Sequence, residues 1–219
     1  MLCDKAKVLI IGAGAQAKYA LEILKARNIA VVGVVDCREN GNPDWVSSYS
    51  TPVLPRESMP AMVKSSGATH FLACSSDAVE KRRLFLEARE CELAPTTAVH
   101  PTAVIASTAR IGECVIINPY AVIQPFVVIG NGCMIHAGSI VEHDTIVGDY
   151  VNLGPGVRLA GWCVIGDDAT LFTGANLAPK VTIGAKAVVA AGATVVRNVE
   201  PGWLVAGVPA KPVRRVLDA

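Results

Sequence analysis

From Ile105 to Val195 an aliphatic residue returns at every sixth position: Ile105, Ile111, Ile117, Ile123, Ile129, Ile135, Val141, Val147, Leu153, Leu159, Ile165, Leu171, Leu177, Ile183, Val189 and Val195. Two residues before these stands a small or β-branched side chain, running from Ala109 and Val115 through Cys133, Ser139 and Thr145 to Val181 and Ala187. A period of six fits neither the 3.6-residue helix nor a hairpin array. It fits short strands joined by tight corners in a stacked solenoid, with both series pointing inward. Three such edges close a triangular coil of 18 residues, and the sixteen hexapeptides make a little over five coils. Residues 18 apart then stack at ~4.8 Å, each backbone group bonded to the coil above or below. Aromatics make up only 5% of the chain, which suits so thin a core.

The first hundred residues follow a different rule. "KVLIIGAGA", "IAVVGVVDC" and "THFLACSS" read as strands, and "AKYALEILKARN" and "DAVEKRRLFLEARECEL" as amphipathic helices, the second capped by Asp77. Alternating strands and helices predict a small parallel sheet, a Rossmann-like α/β domain over 1–99, followed by the solenoid over 100–219. "RENGNPDWVSSYSTPVLPRES" is rich in turn residues and reads as loop. "GAGAQA" follows the first strand and opens a helix, and Asp36 ends the second strand. Gly12, Gly14, Ala15, Gln16 and Ala17 therefore form a dinucleotide-type fingerprint whose amides face a pyrophosphate, with Asp36 placed for ribose or base. By itself the fingerprint is also compatible with a purely structural tight turn.

Composition narrows the partners. The chain has 219 residues, 52% of them apolar, and a net charge of +1 that provides no field for gripping a nucleic-acid backbone. A small soluble ligand is expected instead. "MLCDKAKVLIIGAGA" has neither a signal-peptide pattern nor a membrane-spanning apolar run, so the expected location is the cytoplasm without membrane insertion. Seven cysteines without CxxC spacing suggest reduced thiols, several of them core fillers, and no zinc site.

His143, in "SIVEHDTIVGDY", lies two residues past inward Val141 and so projects from a coil corner. Its stacking neighbours in this register are Pro125 and Gly161. A glycine without a side chain leaves its backbone N–H open ~5 Å along the rod from the imidazole. A base beside an amide donor is what acyl transfer needs, one to take a proton from the nucleophile and the other to stabilise the oxyanion. Glu142 and Asp144 bracket the histidine, and Asp144 is favoured to orient the ring. The bland alternative is a solvated corner histidine. Asn152 is nine residues, half a coil, from His143, so the two sit on roughly opposite sides of the prism. If both serve one site, different subunits supply them, and a three-sided rod suits a cyclic trimer with active sites between neighbours.

The six-residue period resembles the left-handed parallel β-helix of hexapeptide-repeat acyltransferases, whose handedness is an exception to the right-handed crossover rule. "VLIIGAGAQAK", "HPTAVI", "IVEHD", "GPGVRLAG" and "LVAGVPAKPVR" together resemble the sialic-acid-operon, bacillosamine and perosamine family of sugar acetyltransferases, over nearly the whole chain. The resemblance implies acetyl-CoA as donor and a nucleotide-linked sugar amine, in some branches a hydroxyl, as acceptor. It makes His143 the catalytic base, Asp144 its partner and Gly161 the oxyanion donor. Gln16 stands where many members have histidine, Asn152 where many have a second solenoid histidine, and His136 where asparagine is frequent. These departures bear on the acceptor, whose binding set is expected to be Gly12, Gly14, Ala15, Gln16, Asp36, His136 and Asn152.

Charge suggests where the donor lies. Arg110 and Arg158 stand against Glu113, Glu142, Asp144, Asp149, Asp167 and Asp168 between 105 and 175, whereas Lys180, Lys186, Arg197, Lys211, Arg214 and Arg215 outnumber Glu200 and Asp218 beyond it. Coenzyme A, a polyanion, is expected at the C-terminal coils against Gly161, Ala178, Pro179, Lys180, Lys186, Pro209 and Lys211. No cysteine is placed to relay the acetyl group, so transfer is expected to be direct and no metal to be needed. Three rivals remain: a γ-carbonic-anhydrase-like zinc enzyme using His100, His136 and His143, an acetyltransferase of a hydroxyl or of a small non-nucleotide amine or alcohol, and a binding rod without catalysis.

Overall fold

A computed structural model describes residues 6–36, 45, 49 and 51–216. The chain divides into two compact units, Met1–Pro101 and Thr102–Ala219.

In the first unit β1 (Lys7–Ile11), β2 (Ala30–Asp36), β3 (Val53–Pro55), β4 (His70–Ala73) and β5 (Ala94–Pro95) form a parallel sheet in the order β3-β2-β1-β4-β5. Three helices accompany it: α1 (Ala15–Ala26), α2 (Met59–Ser66) and α3 (Ala78–Glu90). Strand order reverses between β1 and β4, so the glycine loop that follows β1 lies at the topological switch point, where open α/β sheets bind ligands. Helix α1 buries Ala17, Ala20, Leu21, Ile23 and Leu24, an i, i+3, i+4, i+7 stripe. Asn28, in the left-handed region at φ 56°, lies in the turn that ends it, where the Ile29 N–H reaches the Leu24 carbonyl. Asp77 caps α3 by accepting from the Glu80 N–H at 2.7 Å, as its sequence position predicts. Two glycines are fixed by contact. A Cβ on Gly12, at φ 101°, would lie 2.1 Å from the Cys74 carbonyl oxygen, and one on Gly33 would meet Met62 of α2.

The segment read as loop, 38–58, contains β3, which pairs with β2 through Val34–Val53 and Val35–Leu54. Turn residues on both sides hide so short a strand, whose stability comes from its neighbour and not from its own pattern. Most of 37–50 lies outside the described residues. No described helix is long and apolar enough to cross a membrane.

The second unit is a left-handed parallel β-helix. From Val104 to Val195 its strands are two residues long and pair 18 residues apart, as Val122 with Ile140 and Ile140 with Arg158. One face carries the strands from Val104–Ile105 to Thr194–Val195, with Ile140–Val141 among them, and a second those from Arg110–Ile111 to Thr182–Ile183, with Ile146–Val147 among them. The third runs from Ile116–Ile117 through Asn152–Leu153 to Val188–Val189, then adds Trp203–Gly207 and, antiparallel to it, Ala210–Arg215. From Ile117 to Val195 the whole six-residue aliphatic series is buried. The inward polar residues have one shared solution. Cys133, Ser139, Thr145 and Cys163 donate to the carbonyls of Gly148, Gly154, Ala160 and Ala178, each 15 residues on.

Corner amides need partners of their own. At the corner between the second and third faces, the N–H groups of Glu113, Asn131 and Asp149 donate to the side chains of Asn131, Asp149 and Asp167, at 2.9, 2.6 and 2.8 Å. The glycine just before each donor makes room for this ladder, since a Cβ on Gly130 would lie 2.4 Å from Asp149 Oδ1. We expect Asp149→Ala to cost about 1–2 kcal/mol by leaving the Asn131 N–H without its acceptor. Asp149→Asn, which keeps that oxygen, should cost much less in chemical denaturation.

Candidate functional site

The corner between the first and second faces stacks Pro125, His143, Gly161 and Pro179 in one column, with Phe126, Asp144, Trp162 and Lys180 in the next. Those four following residues all take left-handed backbone, φ 58–64°. Each of the upper three donates its N–H to the corner carbonyl of the coil below: Asp144 to Pro125, Trp162 to His143 and Lys180 to Gly161, at 3.0–3.1 Å. Proline has no N–H to satisfy, so in this column the unmet donors belong to the two coils of His143 and Gly161. Among the described residues no acceptor takes the Gly161 N–H. Ala137, Thr173 and Ala191, at the same place in the third corner, are exposed and can use water, but Gly161 is buried.

The imidazole accounts for that burial. A Cβ on Gly161 would lie 2.8 Å from His143 Cε1 and 2.9 Å from Nε2, so the ring occupies the space a side chain would fill. His143 Nδ1 sits 2.8 Å from Asp144 Oδ2. That pairing orients the ring and turns Nε2 away from the carboxylate. Glu142 donates its N–H to the Leu159 carbonyl and makes no described contact with the ring. Of the two flanking acids, Asp144 is the one in contact with the ring.

Sequence reasoning misses Trp162. Its ring meets that of His143 edge-to-face, with centroids 4.5 Å apart and planes at 90°, and Lys180 Nζ lies 5.6 Å from its centroid. The tryptophan walls one side of the imidazole and limits its swing. The signal was present in the numbering, because 162 is one past Gly161 and one coil above Asp144. Cys163 is next in the chain, but burial pushes its thiol up and its Sγ donates to the Ala178 carbonyl at 3.4 Å, which makes it a poor relay for an acyl group.

The other expected residues fall into separate groups. Ala178, Pro179 and Lys180 form the corner directly above Gly161. Lys186 turns the corner between the second and third faces, and Pro209 and Lys211 belong to the C-terminal hairpin. His136 lies at the third corner, its N–H bonded to Leu153, and Asn152 lies on the third face, away from the His143 corner. In the first unit Gly12, Gly14, Ala15 and Gln16 surround the start of α1 and Asp36 is buried at the end of β2. Among the described residues no three of His, Cys, Asp and Glu gather to hold a metal ion.

An imidazole held by a carboxylate over an open amide, at the corner of a left-handed β-helix, defines an acyltransferase-type site. The family model of the GMPPB C-terminal domain matches residues 92–173. Perosamine N-acetyltransferase (PerB) from Caulobacter crescentus, solved with CoA and GDP-perosamine, is 33% identical, with 96% of this chain and 98% of that chain covered and a TM-score of 0.87. A variant of that enzyme with one histidine replaced by asparagine, in the same complex, superposes with a TM-score of 0.88 at 32% identity, again over 96% and 98% of the two chains. The acetyltransferase domain of PglB from Neisseria gonorrhoeae FA1090, solved with acetyl coenzyme A, is 25% identical over 94% of this chain and 98% of that one, with a TM-score of 0.82. No curated protein sequence matches. The chain belongs to the hexapeptide-repeat sugar N-acetyltransferases.

Gly161→Ala tests the geometry directly. The added methyl must displace the His143 ring, and turnover should fall roughly 10²-fold while the solenoid's melting temperature changes little. A crystal structure of the variant would show the ring moved off the corner.

Proposed function

We propose that this protein transfers the acetyl group of acetyl-CoA to the amine of a nucleotide-linked 4-amino-6-deoxy sugar, with His143 as general base. The observation that carries the proposal is the His143 ring lying against Gly161, whose N–H has no acceptor among the described residues, with Nδ1 tied to Asp144. The relatives add support, one solved with CoA and GDP-perosamine and another with acetyl coenzyme A.

In the proposed reaction the acceptor amine attacks the thioester carbonyl as His143 Nε2 removes its proton. The Gly161 N–H holds the oxyanion of the tetrahedral intermediate, and Asp144 stabilises the imidazolium. The C–S bond then breaks and the departing sulfur takes the proton from Nε2, giving free CoA and the acetamido sugar. Ala178, Pro179 and Lys180 lie one coil above Gly161 and are assigned to the donor, with Lys186, Pro209 and Lys211 binding its phosphates. Gly12, Gly14, Ala15, Gln16 and Asp36 are assigned to the nucleotide diphosphate. His136 and Asn152 are assigned to the acceptor, with Asn152 supplied by a neighbouring subunit of a cyclic trimer, because it lies on the face away from the His143 corner.

The test is thiol release from acetyl-CoA with GDP- and UDP-linked 4-amino-6-deoxy sugars, beside the matching 4-hydroxy sugars. Release only with the amines is the expected result, and release only with the hydroxy sugars would transfer the reading to oxygen. His143→Ala should lower kcat by roughly 10²-fold or more, with the assembly mass in sedimentation unchanged at three subunits. Unaltered turnover would remove the histidine from the chemistry.

A further inference from the structure

Gln16 and Lys81 meet beneath the glycine loop. They come from α1 and α3, 65 positions apart, and Lys81 Nζ donates to Gln16 Oε1 at 2.9 Å. Both are buried, Gln16 to 7% exposure and Lys81 to 2%. An ammonium is among the most expensive groups to bury, and an apolar side chain would fill the same space more cheaply. Gln16 is one of the partners that hold it there.

Lysine carries three donors and no acceptor, so only the oxygen of a carboxamide can face it. With Lys81 in place, the flip that exchanges the Gln16 oxygen and nitrogen is closed, and Nε2 is left as the outward end. No acceptor among the described residues takes the Nε2 hydrogens. Gln16 is the second residue of α1, where the Ala17 N–H turns back to the Gly14 carbonyl at 3.2 Å and the helix dipole favours an anion. Gly14, the N-cap, is exposed, and a Cβ built on it would meet nothing within 4 Å among the described residues. A histidine at position 16 could donate or accept there. Gln16 held by Lys81 can only donate.

We infer that Lys81 is a positioning residue that locks the Gln16 carboxamide so that Nε2 donates to a diphosphate oxygen of the acceptor, making this position selective for a nucleoside diphosphate. The inference rests on the proposed function for its substrate, but binding alone can test it.

The experiment measures the affinity of the full-length protein for GDP and for UDP by calorimetry, and steady-state KM values with acetyl-CoA and GDP-perosamine. Lys81→Met should weaken binding of the preferred diphosphate and raise the sugar-nucleotide KM about tenfold, the equivalent of one hydrogen bond to a charged group. The acetyl-CoA KM and kcat should stay within about twofold. Lys81→Arg, also donor-only, should restore most of the affinity. Gln16→Glu keeps a partner for Lys81 but loses the donor, so it should weaken diphosphate binding with the melting temperature retained; it decides the matter if Lys81→Met does not fold. Diphosphate affinity unchanged in Lys81→Met and Gln16→Glu, or an equal rise in the acetyl-CoA KM, overturns the inference. So does a wild-type protein that binds neither GDP nor UDP. Diphosphate binding that depends on Lys81, without thiol release from any amino sugar, supports the inference and overturns the proposed reaction instead.

Discussion

Each coil of the solenoid is held to the next by backbone hydrogen bonds between strands whose paired residues are 18 apart, and the candidate site depends on that register. The edges satisfy themselves through strand pairing, and at each corner the second amide donates to a carbonyl of the coil below, as Asp144 does to Pro125 and Trp162 to His143. The amide just before it must find a side chain, water or nothing. Carboxylates and an asparagine from the coil above meet the need at one corner, and exposure to water meets it at another. At the His143 corner, proline removes the donor from the coil below and from the one above Gly161. A buried amide that the fold leaves open, beside an imidazole that the same register places over it, is the arrangement on which the proposed oxyanion site rests. Its donor is rigid backbone, so little reorganisation is needed when charge develops.

The histidine, its carboxylate and the tryptophan depend on one another through the same stacking. Asp144 takes left-handed backbone at φ 58°, a conformation that suits aspartate better than most residues. That turn brings its carboxylate back to Nδ1 of the preceding residue. One coil higher, Trp162 takes the same conformation and donates its N–H to the His143 carbonyl, which sets its ring against the imidazole. Two hydrogen bonds and a ring contact thus fix both the height and the rotation of the base. Such precision comes from elements with few degrees of freedom, which is why a two-residue strand and a tight corner serve better here than a long loop.

The solenoid was legible because its constraint is local and repeated. Sixteen aliphatics at one spacing leave no second architecture, and the register they define places His143, Gly161 and Pro179 in a column by arithmetic alone. The sequence could not show the handedness without a resemblance, since the pattern of inward and outward residues is the same for either hand. Strand Val53–Pro55 and helix Met59–Ser66 escaped the reading because both are short and take their stability from β2, where Gly33 admits Met62. Trp162 escaped for another reason. An aromatic at a corner has no chemistry of its own until the neighbouring ring is placed.

The two units also differ in how far sequence can reach. In the β-helix a contact is always one coil away, so position in the chain predicts position in space. In the α/β unit the sheet order brings β4 beside β1 across more than fifty intervening residues, and the helices that follow those strands meet through pairs no spacing rule anticipates. Gln16 and Lys81 are such a pair. The glycine fingerprint suggests a place for phosphate, but the pairing of Gln16 beside it depends on a buried lysine contributed by a helix whose pattern reads as ordinarily amphipathic. In the proposed reaction donor chemistry belongs to the repetitive unit, and acceptor choice to the unit with long-range contacts, where a buried lysine can change what a neighbouring side chain offers.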